Sequence, residues 1–346
     1  MSQESRLATA LLVRLGEMTN RTFVLPLVVF FPTSRCNSRC VSCDWWKCSG
    51  AGDLTLDEIA GVAHALPALG TRVVLFSGGE PLLRPEVFEA AQMFRAQGMT
   101  LHLLTSGVLL ERCAMDVARE FSRVIVSLDA TTEELYHTIR GVSALTMVEK
   151  GVARLRRIAA DIPMTARATI HRHNFRELPH LIGHAKAMAL DGISFLPADM
   201  SSSAFGRERA AQFQTLALDA KEVAELHEIV EHTIETCRED FELGFVAETP
   251  DKLRRIAQYY AAVAGTGAFP AVSCNAPYTG VVVEADGAVR PCFFHEAVGN
   301  IRLAPLGAIV AKNLPAFRST LDVGTNTVCA RCVCSVRTQW RSAPWQ

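Results

Sequence analysis

Residues 25–43 read LPLVVFFPTSRCNSRCVSC, a short apolar run that passes directly into three cysteines spaced CxxxCxxC. The run 25–31 has the length and the Val, Leu and Phe content of a parallel strand buried on both faces. Five more runs of this kind follow, at 72–76, 100–105, 123–128, 164–170 and 192–196. Helical patterns lie between them, at 55–66, 85–96, 109–120, 145–160 and 176–190. The first opens with Thr55 and has Glu58 three residues on, a capping-box pattern. The second has Pro85 in its first turn and stops near Gly98. Strand and helix in alternation imply a parallel sheet with right-handed crossovers. Six units where a closed barrel needs eight predict an α/β fold, an open partial (β/α)6 barrel of TIM type.

Past the sixth strand, 201–209 reads as a loop, and 219–237 and 249–263 read as helices. From Cys274 the character changes: 280–285 and 288–294 are apolar runs around Asp286-Gly287, a β-hairpin signal. The expected division is a helical segment at 1–22, a barrel at 23–240 and a small hairpin and helix domain at 241–346.

Hydrophobic residues make up 49% of the chain and charged residues 21%, with a formal net charge of −1, the balance of a globular protein. No long basic block is present, so neither nucleic acid nor an anionic membrane is expected as partner. The most apolar run, 23–31, is far shorter than the roughly 20 residues that cross a bilayer. The stretch 8–15 carries Arg14 and lacks a cleavage pattern after it, so it reads as an amphipathic helix and not as a signal peptide. A cytoplasmic location follows, where thiols stay reduced. The eleven cysteines, an odd number, are then read as ligands and not as disulfides. Cys36, Cys40, Cys43 and Cys48 form one group; Cys274, Cys292, Cys329, Cys332 and Cys334 form another. Cys113 and Cys237 sit in helical patterns and read as core residues.

The first group follows the first strand, at the end of a barrel strand where active sites lie. Three thiolates at this spacing suit three corners of a four-iron, four-sulfur cluster and leave the fourth iron open. A structural zinc site completed by Cys48 is the alternative, although zinc more often takes CxxC pairs. Two further motifs stand at strand ends. Ser77-Gly78-Gly79-Glu80-Pro81 follows the second strand: its glycines admit close backbone approach, and Glu80 offers an acceptor for an ammonium group. Ser127 and Asp129 end the fourth strand, share a face, and both bond hydroxyls well. A plain βα turn and a helix N-cap are the bland alternatives for these two.

Together these residues resemble the radical S-adenosylmethionine superfamily over roughly 25–200. Cys36, Cys40 and Cys43 match its cluster motif. Gly78, Gly79 and Glu80 match the GGE element that holds the methionine amino group. Ser127 and Asp129 match the ribose-contacting position. Ser127 through Ile139-Arg140-Gly141 resembles the SxD…RG pattern of the branch with sulfatase-maturing and peptide-modifying members. In one departure, Ser42 stands where the family usually has an aromatic residue before the third cysteine, with Trp45 and Trp46 as possible substitutes. The resemblance implies reductive cleavage of S-adenosylmethionine to a 5′-deoxyadenosyl radical, which abstracts hydrogen from a substrate.

The C-terminal spacing, C-x12-G-x4-C over Cys274, Gly287 and Cys292 followed by Cys329, Cys332 and Cys334, resembles the SPASM and twitch elements of the same superfamily. That resemblance implies one auxiliary 4Fe-4S cluster, ligated by Cys274, Cys292, Cys329 and Cys332. Cys334 is left over or replaces Cys332, and His295 is read as a polar loop residue. A zinc ribbon on the same thiolates is the alternative.

Relatives with such elements act on sulfatases, aminocyclitols and peptides. About twenty residues precede the first strand, which leaves no room for a peptide-recognition domain and tilts the expectation toward a small metabolite or short peptide. The expected chemistry is a net oxidation or other radical modification, fed by an electron donor such as flavodoxin or ferredoxin. A peptide maturase that forms crosslinks is one alternative; a non-catalytic iron–sulfur or zinc protein is another. His171, His173, Asp199 and Tyr278 are candidates by position for acid or base, and none is assigned.

Overall fold

The computed structural model describes residues 3–206 and 215–338. All six predicted strands are present: β1 Leu27–Phe30, β2 Val73–Phe76, β3 Thr100–Thr105, β4 Arg123–Ser127, β5 Met164–Ile170 and β6 Gly192–Pro197. Each lies parallel to the next in chain order. The helices are α1 Gln3–Thr19, α2 Leu56–Ala65, α3 Val87–Ala96, α4 Leu110–Glu120, α5 Glu133–Arg140, α6 Leu145–Ile158, α7 Leu178–Ala187, α8 Ala220–Thr236, α9 Arg238–Glu242 and α10 Pro250–Val263. The predicted capping box forms: Thr55 Oγ1 accepts from Glu58 N, and the Glu58 carboxylate accepts from Thr55 N. Helix α5 was not expected. Thr132 caps it by accepting from Leu135 N, a signal hidden in the Thr131-Thr132 pair. Of the loop read at 201–209, residues 207–209 lie outside the described residues. Among the described residues no helix is long and apolar enough to cross a membrane.

The two faces of the sheet differ, because side chains alternate along a strand. Val28, Phe30, Val74, Phe76, Leu103, Val124 and Val126 face the helices and join the main core. Val29, Phe31, Leu75, Ile125 and Val282 form a smaller cluster on the concave face. Strand β5 shows the pattern most clearly: Met164, Ala166, Ala168 and Ile170 are buried, while Thr165, Arg167 and Thr169 alternate with them, half-buried. Burial on both faces, as read from the sequence, therefore does not hold for β5; its inner face is polar.

The predicted hairpin joins the sheet of the barrel. Strand β7, Gly280–Val283, pairs parallel with β1, and β8 Ala288–Arg290 and β9 Gly299–Asn300 continue the sheet antiparallel. One nine-stranded sheet results, in the order β6-β5-β4-β3-β2-β1-β7-β8-β9. The physical reason is the edge of β1, whose unpaired backbone groups need a neighbour. The Phe31 N–H extends that pairing to the Val283 carbonyl at 2.9 Å.

Candidate functional site

The loop carrying Cys36, Cys40 and Cys43 leaves β1 and is fastened on both sides by backbone hydrogen bonds. On one side Gly79 N donates to Thr33 O at 3.1 Å and Glu80 N to Arg35 O at 2.8 Å. On the other, Arg39 N donates to Arg140 O at 2.7 Å and Val41 N to Ile139 O at 2.9 Å. Gly79 is required here: a Cβ on it would stand 2.1 Å from the Arg35 carbonyl oxygen. Gly141 ends α5 with φ +66°, and a Cβ there would meet Arg39 O at 2.7 Å. Of the two glycines expected to admit a ligand, Gly79 thus admits the cysteine loop, while a Cβ on Gly78 would stand 2.7 Å from the Phe31 side chain.

Glu80 is 1% exposed. Its carboxylate accepts from Thr105 Oγ1 at 2.7 Å, Ser106 N at 2.7 Å and Leu82 N at 3.1 Å. Burial raises its pKa, while the Ser106 and Thr105 donors oppose the rise. The side chain is therefore a strut between β2 and β3, a role the acceptor-for-ammonium reading did not foresee. Asp129 is likewise engaged: it accepts from Thr169 N at 2.7 Å and pairs with Arg140 at 2.5 Å. Arg140 in turn donates to Cys40 Sγ at 3.5 Å. Burial works against the Arg140 charge, but Asp129 and Cys40 offset it and hold the pKa above the ordinary arginine value. Ser127 lies on the inner face of β4, half-buried, in register with Arg167 of β5. Sequence reasoning noticed Arg140 only as part of a pattern and missed Arg167.

Burial pushes the Cys36 thiol up to about 12, against the pull of the Ser38 N–H. A buried thiol of this kind loses its proton most readily to a metal. Cys43 Sγ donates to Phe205 O at 3.5 Å. Phe205 stacks on Phe293 at 6.3 Å and 21°, and Phe293 contacts Phe31 at 6.2 Å. Phe31 meets Trp45 edge-on at 5.8 Å. This aromatic wall joins the Cys43 loop to the residue after Cys292. Trp45 belongs to it; Trp46 is 37% exposed and lies under Lys47. Burial raises the Cys48 thiol pKa, and the nearby Asp53 and Asp44 charges raise it further.

The structure brings the second group together. Cys274, Cys292, Cys329, Cys332 and His295 line one apolar cavity, and Cys334 lines a neighbouring pocket that shares Cys332 with it. Burial pushes Cys329 up to about 12 and Cys292 to about 11, whereas a hydrogen bond from Cys334 pulls Cys332 down to about 7. Among the described residues no three His, Cys, Asp or Glu side chains converge as ligands of one metal ion would. A cluster asks for less convergence, since each thiolate binds a different iron. Both thiol sets fit iron–sulfur clusters in number and in burial.

The acid–base candidates are placed as follows. His171 is fully buried, its pKa pushed down to about 3 by burial and by His173 and Arg140. The His173 N–H donates to its Nδ1 at 3.2 Å. Asp199 caps a turn through Ser201 and Ser202. Tyr278 bonds Asn20 at 2.9 Å and lies under the Arg318 guanidinium. Asp199 and Tyr278 hold structure together.

Two family models match: the radical SAM superfamily over residues 30–184 and an iron–sulfur cluster-binding domain, SPASM, over 274–333. The AdoMet-dependent heme synthase of Methanosarcina barkeri is 32% identical over 47% of this chain and 47% of its own length. The PqqA peptide cyclase of Rhodopseudomonas palustris is 31% identical over 57% of this chain and 53% of its own. The chain thus spans about half the length of these curated relatives. Among solved structures, SuiB of Streptococcus suis superposes with a TM-score of 0.63 at 14% identity, covering 94% of this chain and 76% of that one, a likeness of fold. The matched domains carry their cofactors with them: S-adenosylmethionine and a 4Fe-4S cluster for the barrel, auxiliary iron–sulfur for the C-terminal part. The chain belongs to the radical S-adenosylmethionine superfamily, as a member with a SPASM-type iron–sulfur domain.

Proposed function

We propose that the chain cleaves S-adenosylmethionine reductively at the Cys36, Cys40 and Cys43 loop and abstracts hydrogen from a small metabolite or short peptide. The observation that carries this is the Asp129–Arg140–Cys40 chain of contacts, which ties the end of β4 to the cysteine loop. When bound, the cluster supplies the electron that breaks the S–C5′ bond of the cosubstrate. The protein's part is to bind, orient and keep out water. Cys36, Cys40 and Cys43 hold three irons. Gly78 and Gly79 offer backbone to the methionine end, with Glu80 fixing their path. Ser127 presents a hydroxyl to the ribose, and Asp129 holds Arg140 and the β4–β5 edge in place. Phe31, Phe205 and Phe293 form the dry side of the site.

Cys274, Cys292, Cys329 and Cys332 are assigned to one auxiliary cluster. Four thiolates leave no open iron there, which suits electron transfer better than substrate binding and makes the net reaction an oxidation. The same functional division is proposed as from the sequence: barrel chemistry in 23–240, the auxiliary cluster in 241–346, and 1–22 as a packing helix. A flavodoxin or ferredoxin is the proposed electron donor, the cytoplasm the proposed location, with neither nucleic acid nor membrane as partner. A second reading, crosslinking of a peptide, is favoured by the 31% identity with a PqqA peptide cyclase over 201 residues.

The test is 5′-deoxyadenosine formation after anaerobic reconstitution and reduction, with peptide and metabolite fractions added in turn. Formation stimulated by a peptide fraction alone would favour the second reading. No formation under any condition would overturn both.

A further inference from the structure

His295 was read as an ordinary loop residue, and the structure gives it another place. It is 6% exposed and lines the cavity of the four C-terminal cysteines. Its Nε2 lies 3.2 Å from Cys329 Sγ. The ring is set by Phe317, which meets it edge-on at 4.9 Å, and the His295 carbonyl accepts from Arg290 at 3.0 Å.

The sulfur it touches is the exception in the cavity. Cys274 Sγ accepts from Ala276 N at 3.4 Å, and Cys332 Sγ from Cys334 N at 3.4 Å. The Phe294 and His295 backbone groups pull the Cys292 pKa down against burial. Cys329 has no such backbone donor among the described residues. Cys329–Arg331 is a helical turn, in which the Ala330 amide donates to Asn326 O at 2.8 Å and the Cys332 amide to Cys329 O at 2.9 Å.

We propose that His295 Nε2–H donates a hydrogen bond to the Cys329 thiolate and thereby raises the reduction potential of the auxiliary cluster. Hydrogen bonds to cluster sulfurs stabilise the more negative, reduced state, and partners of the ligands tune a metal site much as the ligands do. His295 is on this view a positioning and tuning residue that acts through Cys329. The proposal rests on the assignment of Cys274, Cys292, Cys329 and Cys332 to a cluster.

The experiment uses the full chain with Cys36→Ala, Cys40→Ala and Cys43→Ala, so that only the auxiliary site contributes. Midpoint potential is followed by EPR in that background and with His295→Leu or His295→Gln added. His295→Leu should lower the potential by the equivalent of roughly tenfold in the reduction equilibrium, about 59 mV for one electron. His295→Gln keeps a donor and should recover most of the shift. Histidine labelled with 15N in the otherwise unsubstituted background should show a weak coupling to the reduced cluster, a reading that does not depend on either His295 variant folding. An unchanged potential at equal iron content, or no histidine coupling, would overturn the proposal. A strong, directly bonded nitrogen coupling would make His295 a ligand and overturn it as well. Zinc or no iron at the site would instead overturn the cluster assignment on which it rests.

Discussion

The two cysteine sites are built in opposite ways. The front loop, 33–43, is fastened by backbone hydrogen bonds to the residues after β2 and to the end of α5, and none of those bonds needs a metal. The C-terminal cysteines come from separate segments, and the last two stand on or beside a single helical turn, Cys329–Arg331. Beyond that turn the chain is tied back by Asn275 N to Val336 O at 3.1 Å and by Arg337 to Glu17 at 2.9 Å, but 322–332 bonds mostly to itself. A site fastened by its scaffold keeps its shape when empty. A site that gathers four thiols from separate segments into one apolar cavity depends on the metal for its own folding.

The most drastic way to break this contrast is to empty the front site. Replacing Cys36, Cys40 and Cys43 with Ala should abolish 5′-deoxyadenosine formation while leaving the circular dichroism spectrum and melting temperature close to those of the parent. Cleavage that survives would refute the site; a collapse of the fold would refute the claim that the loop is scaffold-held. Emptying the rear site should do the reverse. With Cys274, Cys292, Cys329 and Cys332 replaced by Ala, amide exchange in 322–336 should speed up on the order of a hundredfold. That is the loss of a ligand present at a hundred times its Kd, about 2.7 kcal/mol. Exchange in β1–β6 should not change. Cosubstrate cleavage should continue in this variant, and completed turnover should fail.

A smaller effect sharpens the account of the front scaffold. Glu80→Ala strands the Ser106 and Leu82 amides and the Thr105 hydroxyl in a site 1% exposed. At about 1–3 kcal/mol for each unsatisfied buried group, the melting temperature should fall by many degrees. If the carboxylate also accepts the ammonium group of the cosubstrate, the affinity for S-adenosylmethionine drops besides by roughly ten- to a hundredfold, one charge-assisted hydrogen bond. Differential scanning calorimetry beside a binding titration separates the two.

The strands and most of the barrel helices were legible because apolar runs and helical periods recur in alternation, and each run supplies its own signal. Less was legible where a residue's role depends on what packs against it. Arg140 and Glu80 both stood inside recognised motifs, yet only the fold shows that Asp129 and Cys40 flank the one and that three donors surround the other. The place of β7 beside β1 was hidden for a similar reason: the pairing joins residues some 250 positions apart, and no local pattern encodes it. Phe205 reaches Cys43 from a stretch without regular structure, where periodicity carries no information.

The smallest expected effect concerns Cys48, the thiol that a zinc reading of the front site would need. Its amide donates to Trp45 O at 3.0 Å, so the backbone there is fixed whatever the side chain does. Burial is the main influence that raises its thiol pKa, and the nearby charges are Asp53 and Asp44, which disfavour a thiolate further. Cys36, by contrast, feels Cys40 and Glu80. The Cys48 thiol thus stands among carboxylates, a poor field for a thiolate ligand. Cys48→Ser should therefore leave iron content and cosubstrate cleavage unchanged and alter stability by no more than about 0.5 kcal/mol, as for surface substitutions generally. Iron and sulfide analysis of the reconstituted variant reads this directly. A loss of metal on this single change would mean that the loop closes on four thiolates with no open position, and the front site would then be no better suited to cosubstrate binding than the rear one.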